Sequence, residues 1–151
     1  MNPGELNHLY YQTARMHHRR THTRFNEMGL GEGQPRILHR LTKEDGLSQA
    51  ELGRRCHLEP ATVTVTLTRM ERRGLVERRP DPVDHRLSRV FLTVEGLEMN
   101  RVLEEMHREI EAECWEGFSA AERERLAGYF VRMLDNLRRA EGPLPEEEPG
   151  A

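Results

Sequence analysis

At 151 residues the chain has the length of one ordinary domain, or of a small domain with an oligomerisation arm. Charged residues make up 32% of the chain and aromatic residues only 5%. So few large rings cannot fill a thick monomeric core. We therefore expect long helices that share a core with a second subunit. No apolar run approaches the ~20 residues of a membrane span, and the N-terminus lacks the apolar segment of a secretory signal. We therefore expect a cytoplasmic protein.

The net charge of −3 is unevenly distributed. Residues 1–49 hold seven basic and five acidic residues, and residues 50–93 hold nine basic and six acidic ones. Residues 94–151 hold seven basic and fifteen acidic residues. Since the distribution matters more than the sum, the overall charge does not exclude nucleic acid, and the basic middle third is where it is expected to bind.

The first third of the chain predicts two helices. Residues 5–27 carry a stripe at three- and four-residue spacing, formed by Leu6, Leu9, Tyr10, Thr13 and His17. The glycine-rich segment 28–33 ends this helix. A short helix follows and is expected to stop near Gly46. Its predicted inward residues are Ile37, Leu38 and Leu41.

Two short helices joined by the turn HLEP are predicted between Ser48 and Gly74. Ser48 and Glu51 form a capping-box pattern for the first helix, and Leu52 and Cys56 continue its buried stripe. The second helix has proline at its first position and glycine after its end. Its predicted inward residues are Val63, Leu67 and Met70. Its predicted outward residues are Ala61, Thr62, Thr64, Val65, Thr68, Arg69 and Arg72.

The remaining sequence predicts a β-hairpin and two long helices. Residues 75–79 and 87–93 alternate apolar and charged residues, as strands do, and the proline-rich segment between them is expected to project as a loop. The first long helix is predicted over 94–118, with Leu97, Leu103, Met106, Ile110, Cys114 and Phe118 on its apolar side. The second begins at a Ser119 cap and carries Leu126, Phe130, Met133 and Leu137.

The two short helices form a helix-turn-helix candidate. A helix that enters a major groove needs small side chains at the closest approach and arginine where it reaches bases or phosphate, as the second helix offers. The hairpin carries four arginines, and its loop is expected to lie along the backbone or in the adjacent minor groove. Within this loop, Asp84 is expected to hold Arg86 or Arg78 in position.

A plainer interpretation competes with DNA contact. Exposed hydroxyls and arginines are common on solvated helices, and strand-edge arginines discourage aggregation. Poor helix formers gathered on the outward side, next to the basic hairpin, favour DNA contact. Arg86 is expected to contact phosphate or the minor groove, whereas Arg79 and Arg89 remain open between the two interpretations.

Residues 47–96 resemble the winged helix-turn-helix of the multiple-antibiotic-resistance regulator (MarR) family. The loop matches the family signature Asp-x-Arg-x5-Leu-Thr through Asp84, Arg86, Leu92 and Thr93, and the helix order is similar over residues 5–139. The resemblance implies a mainly α fold with a small β-hairpin wing and with N- and C-terminal dimerisation helices. It further implies a homodimer that reads a near-palindromic site in double-stranded DNA and that a small-molecule effector releases or modulates.

The resulting hypothesis is a sequence-specific transcription regulator, in this family most often a repressor. Residues 1–32 and 94–139 would form the dimerisation region, 33–93 the DNA-binding domain, and 140–151 a disordered acidic tail. The residues expected to contact DNA are Ser48, Gln49, Thr62, Thr64, Val65, Thr68, Arg69, Arg72, Asp84, His85, Arg86 and Arg89. Val65 and Glu59 depart from the residues common in the family and leave the target sequence open.

The eight histidines raise a metal hypothesis. His18 and His22 lie one helical turn apart, which is suited to one ion. No dense Cys/His spacing supports them, so no cofactor is predicted, and a zinc-responsive regulator of the same fold is an alternative. His17 lies near Arg20 on the inward stripe and is expected to pack there, or else to line a pocket for an anionic effector with Arg20.

Redox and catalytic chemistry have little support. Cys56 and Cys114 are expected on apolar stripes, where a thiol stays protonated and inert. The sequence has no phosphate loop, nucleophile elbow or HExxH motif, so no enzyme is predicted. Two further alternatives are a sequence-neutral architectural protein, which would bind random and promoter DNA alike, and a dimerising adaptor, which would bind none.

Overall fold

The computed structural model describes residues 1–31 and 33–141, which form six helices and three strands. In chain order these are α1 (Pro3–Glu27), α2 (Gln34–Lys43), β1 (Leu47–Ser48), α3 (Gln49–Arg55), α4 (Pro60–Arg72), β2 (Val76–Pro80), β3 (Ser88–Leu92), α5 (Val94–Cys114) and α6 (Ala120–Glu141). None of the described helices combines the length and the apolar character that a bilayer crossing requires.

Local capping explains where several helices begin and end. Ser48 Oγ accepts the Glu51 N–H at 3.3 Å and the Ser48 N–H donates to the Glu51 carboxylate at 2.8 Å, which confirms the capping box at α3. Ser119 and Glu122 repeat this arrangement at α6, with distances of 3.3 and 2.9 Å. Gly74, with a φ of 70°, takes the left-handed conformation that carries the chain out of α4 toward the wing.

The core lies where α2, α3, α4 and α5 meet the sheet. The inward positions predicted for α2, α3 and α4 are all buried, namely Ile37, Leu38, Leu41, Leu52, Cys56, Val63, Leu67 and Met70. In α5 the predicted Leu103, Met106 and Ile110 are buried, but Leu97 is 42% exposed. Cys114 is exposed as well, so the expectation of a buried thiol at this position is wrong.

The hairpin belongs to a three-stranded antiparallel sheet with the order β1–β3–β2. The two predicted strands pair along all five residues of β2 and β3. The third strand was not predicted: Leu47 pairs with Val90 and Ser48 pairs with Arg89. Because β1 directly precedes α3, its pairing with β3 attaches the helix-turn-helix to the β3 side of the wing hairpin.

The N-terminal and C-terminal helices leave apolar side chains in water. α1 buries none of its residues against the described chain. α5 ends at Cys114, earlier than predicted, so Phe118 lies in the turn before α6. The predicted apolar positions of α1 and α6 are exposed or only partly covered, namely Leu6, Leu9, Tyr10, Leu126, Phe130, Met133 and Leu137. α6 runs to Glu141, and the rest of the predicted acidic tail, 142–151, lies outside the described residues.

Candidate nucleic-acid interface

α4 packs one face on the core and turns the other to solvent. Val63, Leu67 and Met70 are fully buried, and Thr66 joins them at 5% exposure. The outward residues predicted from the sequence are exposed or, for Thr68, partly exposed: Ala61, Thr62, Thr64, Val65, Thr68, Arg69 and Arg72. Since threonine and valine are poor helix formers, burial of the inner face is what keeps α4 helical.

The threonine hydroxyls of α4 are fixed by hydrogen bonds. Thr64 Oγ1 donates to the Pro60 carbonyl at 3.0 Å and accepts from the Gln49 side-chain amide of α3. Thr68 Oγ1 donates to the Thr64 carbonyl at 2.9 Å and accepts from Arg78 Nη2 of β2 at 3.3 Å. Both hydroxyl protons are thus committed to the helix backbone. Toward a partner, these side chains offer a methyl group and a remaining oxygen lone pair, which accepts but does not donate.

Asp81 organises the base of the wing loop. Its buried carboxylate accepts the backbone N–H groups of Val83 at 2.8 Å and Asp84 at 2.9 Å, and it pairs with the Arg89 guanidinium. Hydrogen bonds from the Asp84 and Val83 backbone, followed by that from Arg89, lower the pKa of Asp81 from 3.8 to about 2. Arg89 also donates to the Gly46 carbonyl at 2.9 Å, which connects the loop to the segment before β1.

The role expected of Asp84 differs in the structure. Its carboxylate accepts the backbone N–H of Arg86 at 3.0 Å and does not hold an arginine side chain. Arg78 points instead toward α4, where it lies 3.5 Å from the Glu71 carboxylate. Asp81 is the acid that positions an arginine. The available sequence signal was Asp81, which lies between two prolines and eight residues before Arg89. The sequence of the loop alone does not show which of its two aspartates is buried.

The arginines of this surface fall into two groups. Arg78, Arg79 and Arg89 are engaged by acids, and Arg79 also lies over the Phe91 ring at 4.6 Å. Three guanidinium groups have no hydrogen-bond or ion-pair partner within the described residues: Arg69, Arg72 and Arg86. An unpaired guanidinium keeps all its hydrogen-bond donors available. These three arginines are therefore the ones best able to bind phosphate or base edges.

The remaining predicted contact residues have different surroundings. Ser48 uses its hydroxyl to cap α3, and its hydrogen bonds lower the pKa of Glu51. Gln49 is bonded to Thr64. Thr62, Val65 and His85 are exposed. The structure therefore gathers the predicted residues on α3, α4 and the wing loop, but it gives Ser48 and Arg89 structural partners.

The histidine candidates are not assembled into a site in the part of the chain that the structure describes. The His18 and His22 rings lie 5.8 Å apart, and His22 Nδ1 is 3.3 Å from the Asn26 amide nitrogen. Among the described residues there is no group of three potential metal ligands. Arg20 forms a two-pronged ion pair with Glu113, at 3.0 and 2.7 Å, so its charge is already balanced, while His17 is exposed.

A helix-turn-helix of α3 and α4, followed by a β wing and enclosed by long helices, defines a winged helix-turn-helix protein. A model of the MarR family matches residues 28–87. The helix-turn-helix transcriptional repressor YetL of Bacillus subtilis is 33% identical over 132 residues, which cover 85% of this chain and 75% of YetL. The regulator YdgJ of the same organism is 30% identical over 113 residues, which cover 75% of this chain and 69% of YdgJ.

The crystal structure of the PcaV transcriptional regulator from Streptomyces coelicolor superposes with a TM-score of 0.73 at 28% identity, covering 91% of this chain and 98% of PcaV. This chain belongs to the MarR family. It is a DNA-binding transcription regulator and not an enzyme, as the sequence predicted.

Proposed function

We propose that the protein is a homodimeric, ligand-responsive repressor that binds a near-palindromic operator. α4 would lie in the major groove and the wing loop would follow the backbone of the same half-site. One observation carries this proposal: Arg69 and Arg72 on the exposed face of α4, and Arg86 on the wing loop, lack acidic partners in the described chain.

Different residues would contribute affinity and specificity. Arg86 on the wing loop and Arg72 near the end of α4 are suited to phosphate, and their contribution depends on salt. Thr62 and Val65, exposed near the start of α4, offer methyl groups to thymine. The remaining lone pairs of Thr64 and Thr68 are suited to the amino groups of adenine or cytosine, because both hydroxyl protons are already donated.

The dimer proposal follows from the uncovered helix faces. Leu6 is 62% exposed on α1 and Leu137 is 56% exposed on α6, and both belong to stripes at helical spacing. Contiguous apolar faces of this kind mark association surfaces. We therefore assign residues 1–32 and 94–139 to dimerisation and residues 33–93 to DNA binding, and two copies would present two reading helices to one duplex.

Repression and effector release are the finer parts of the proposal. YetL carries the name of a repressor, and the family resemblance implies a small-molecule effector between the dimerisation and DNA-binding regions. The ion pair of Arg20 with Glu113 does not favour Arg20 as the anion contact of that pocket.

A mobility-shift titration tests the DNA proposal. The full chain would be titrated on a duplex from its own upstream region and on a random duplex of equal length, with and without EDTA. Preference for the upstream duplex that EDTA leaves unchanged supports the proposal. Equal affinity for both duplexes would indicate an architectural protein. Loss of binding in EDTA that zinc restores would indicate a zinc-responsive regulator, for which His18 and His22 are the candidate ligands. Binding to neither duplex would contradict DNA recognition at this sequence.

A further inference from the structure

The helix α1 lies on α5 through few contacts. No residue of α1 is buried within the described chain, and its main neighbour there is α5. Two ion pairs cross between these helices: Arg20 with Glu113 at 2.7 Å and Arg24 with Glu109 at 2.9 Å. All four side chains are at least partly exposed, so each pair contributes little to stability. The position of α1 therefore depends on the remaining contacts between the two helices.

The apolar part of this contact is formed by Phe25 of α1 and His107 of α5. The two rings are partly buried, and their centroids lie 5.8 Å apart with the ring planes nearly perpendicular. Phe25 also packs against the hydrophobic core, so it is the residue that attaches α1 to the body of the chain. A neutral imidazole can pack in such surroundings, whereas a protonated one would lose part of its hydration there.

The groups around His107 oppose a proton on its ring. Burial is the largest influence, and the nearby His17 of α1 and His39 of α2 act in the same direction when they are charged. Glu111, one turn later on α5, and a backbone hydrogen bond act in the opposite direction, but the pKa of His107 is still lowered from its ordinary value of 6.5. The third neighbour of α5, strand β3, meets it near Gly96, about three helical turns earlier.

We propose that His107 makes the contact between α1 and α5 sensitive to pH, because a proton on its ring loosens α1 from α5. The neutral ring stabilises this contact fully above pH 6.5, and the stabilisation is lost as the pH falls below that value. In the same range the ion pair of Arg20 with Glu113 stays charged, since the hydrogen bond from Arg20 lowers the pKa of Glu113. Protonation of His107 is thus separated from protonation of this ion pair.

The consequence for DNA binding rests on the proposed function. Arg73, just after the end of α4, donates to the carbonyls of Met28, at 3.2 Å, and Gly29, and so connects the end of α1 to the proposed reading helix. Loosening of α1 would reach α4 by this route, so acid is expected to weaken DNA binding through His107. Protonation of His85 on the wing loop would act in the opposite direction, because it adds positive charge where a phosphate is expected.

The first test needs no DNA. The imidazole signals of His107 and the hydrogen exchange of the Phe25 amide would be followed by NMR on the full-length, ¹⁵N-labelled protein, from above pH 6.5 to below it. Protection of the Phe25 amide, corrected for the intrinsic pH dependence of exchange, is expected to fall with the same midpoint as the His107 ring. That midpoint is expected below 6.5.

Two variants separate His107 from the other histidines. His107→Gln keeps a polar side chain that cannot gain a proton, and protection of the Phe25 amide is expected to become independent of pH. His8→Gln is the matched control, since His8 is exposed on the side of α1 opposite to its apolar stripe, and it is expected to keep the transition. His39→Gln removes a like charge and is expected to raise the His107 midpoint.

A transition that survives in His107→Gln would overturn the proposal. If this variant does not fold, the wild-type protein still decides, because Phe25 protection that does not follow the His107 ring would also overturn it.

The step to α4 is tested by fluorescence anisotropy on the upstream duplex over the same pH range. The affinity of the wild-type protein relative to His107→Gln is expected to fall as His107 gains its proton. Both proteins carry the same wing, so the direct effect of His85 cancels in this ratio. A constant ratio, with Phe25 protection still changing, would overturn the step to α4. Absence of binding by both proteins at every pH would contradict the proposed function, and the measurement without DNA then decides the pH response by itself.

Discussion

The carboxylate of Asp81 pairs with the guanidinium of Arg89 across the base of the wing loop. Arg89 lies on β3, next to Ser48 of β1, and also donates to the carbonyl of Gly46. This single acid therefore connects the loop that precedes β3 to the segment that precedes α3. The wing and the helix-turn-helix are held together by this contact as well as by the sheet.

The Asp81 contact predicts a pH dependence of the wing. Because folding lowers the pKa of Asp81 from 3.8 to about 2, its stabilising effect is complete above pH 3.8 and is lost as the pH falls toward 2. The backbone amide signals of Val83 and Asp84, followed by NMR during acidification, are expected to move with a midpoint near pH 2. Asp81→Asn should abolish this transition, with Asp135→Asn on α6 as control. A transition that survives in the Asn variant would assign it to another group.

Arg78 is predicted to contribute to specificity without contacting a base. Its guanidinium donates to Thr68 Oγ1 and pairs with Glu71, so it fixes one side of α4. Arg78→Ala is expected to reduce the difference in binding free energy between operator and random duplex by about 1 kcal/mol, the worth of a typical hydrogen bond. Arg79→Ala is the matched control, because Arg79 pairs within its own strand. An equal loss on both duplexes would make Arg78 a phosphate contact.

Arg86 is predicted to bind phosphate. Arg86→Ala should weaken binding to all duplexes similarly, and it should reduce the slope of log K against log salt by about 1. Fluorescence anisotropy across a range of salt concentrations measures both quantities. A loss confined to one sequence, with an unchanged slope, would instead identify Arg86 as a base reader.

Arg69 is predicted to contribute to specific binding. Removing its guanidinium by Arg69→Ala is expected to cost about 1–3 kcal/mol on the cognate operator, as for a base contact. Titration on operator and random duplexes measures this, with Arg125→Ala as the control. Unchanged operator affinity would exclude Arg69 from base recognition.

The uncovered face of α6 is predicted to hold the dimer. Phe130 and Leu137 are 41% and 56% exposed, and glutamate at either position would place charge in the proposed interface. Phe130→Glu and Leu137→Glu are expected to raise the dimer dissociation constant by roughly tenfold or more, measured by analytical ultracentrifugation. Val83→Glu, at a wing residue that is 92% exposed, controls for added charge. A monomeric wild-type chain would contradict the dimer proposal.

The sequence was sufficient for the helix-turn-helix because each of its signals is local. The Ser48 cap, the proline that opens α4 and the spacing of Val63 and Leu67 act within a few residues, and the structure confirms them. β1 was not predictable in this way, since two residues show no alternation and their partner lies more than forty positions away.

The candidate site was predictable as a surface but not in its internal contacts. The small and basic residues of α4 form a periodic pattern, which indicates an open face. Which charges are paired depends on contacts between distant segments. The pairs of Arg78 with Glu71 and of Arg89 with Asp81 are therefore visible only once the chain is folded.

Arg73, just after the end of α4, donates to two carbonyls at the end of α1 and so ties the two helices together. In a two-fold symmetric assembly built on α1, as proposed, a tilt of this helix would reach α4 through these two hydrogen bonds. The distance between the two α4 helices then sets which operators fit, since duplex repeats are spaced about 34–36 Å apart. A molecule that changes the angle of α1 would thus change which operators fit without contacting a base. The two hydrogen bonds of Arg73 would determine how much of the α1 movement reaches α4.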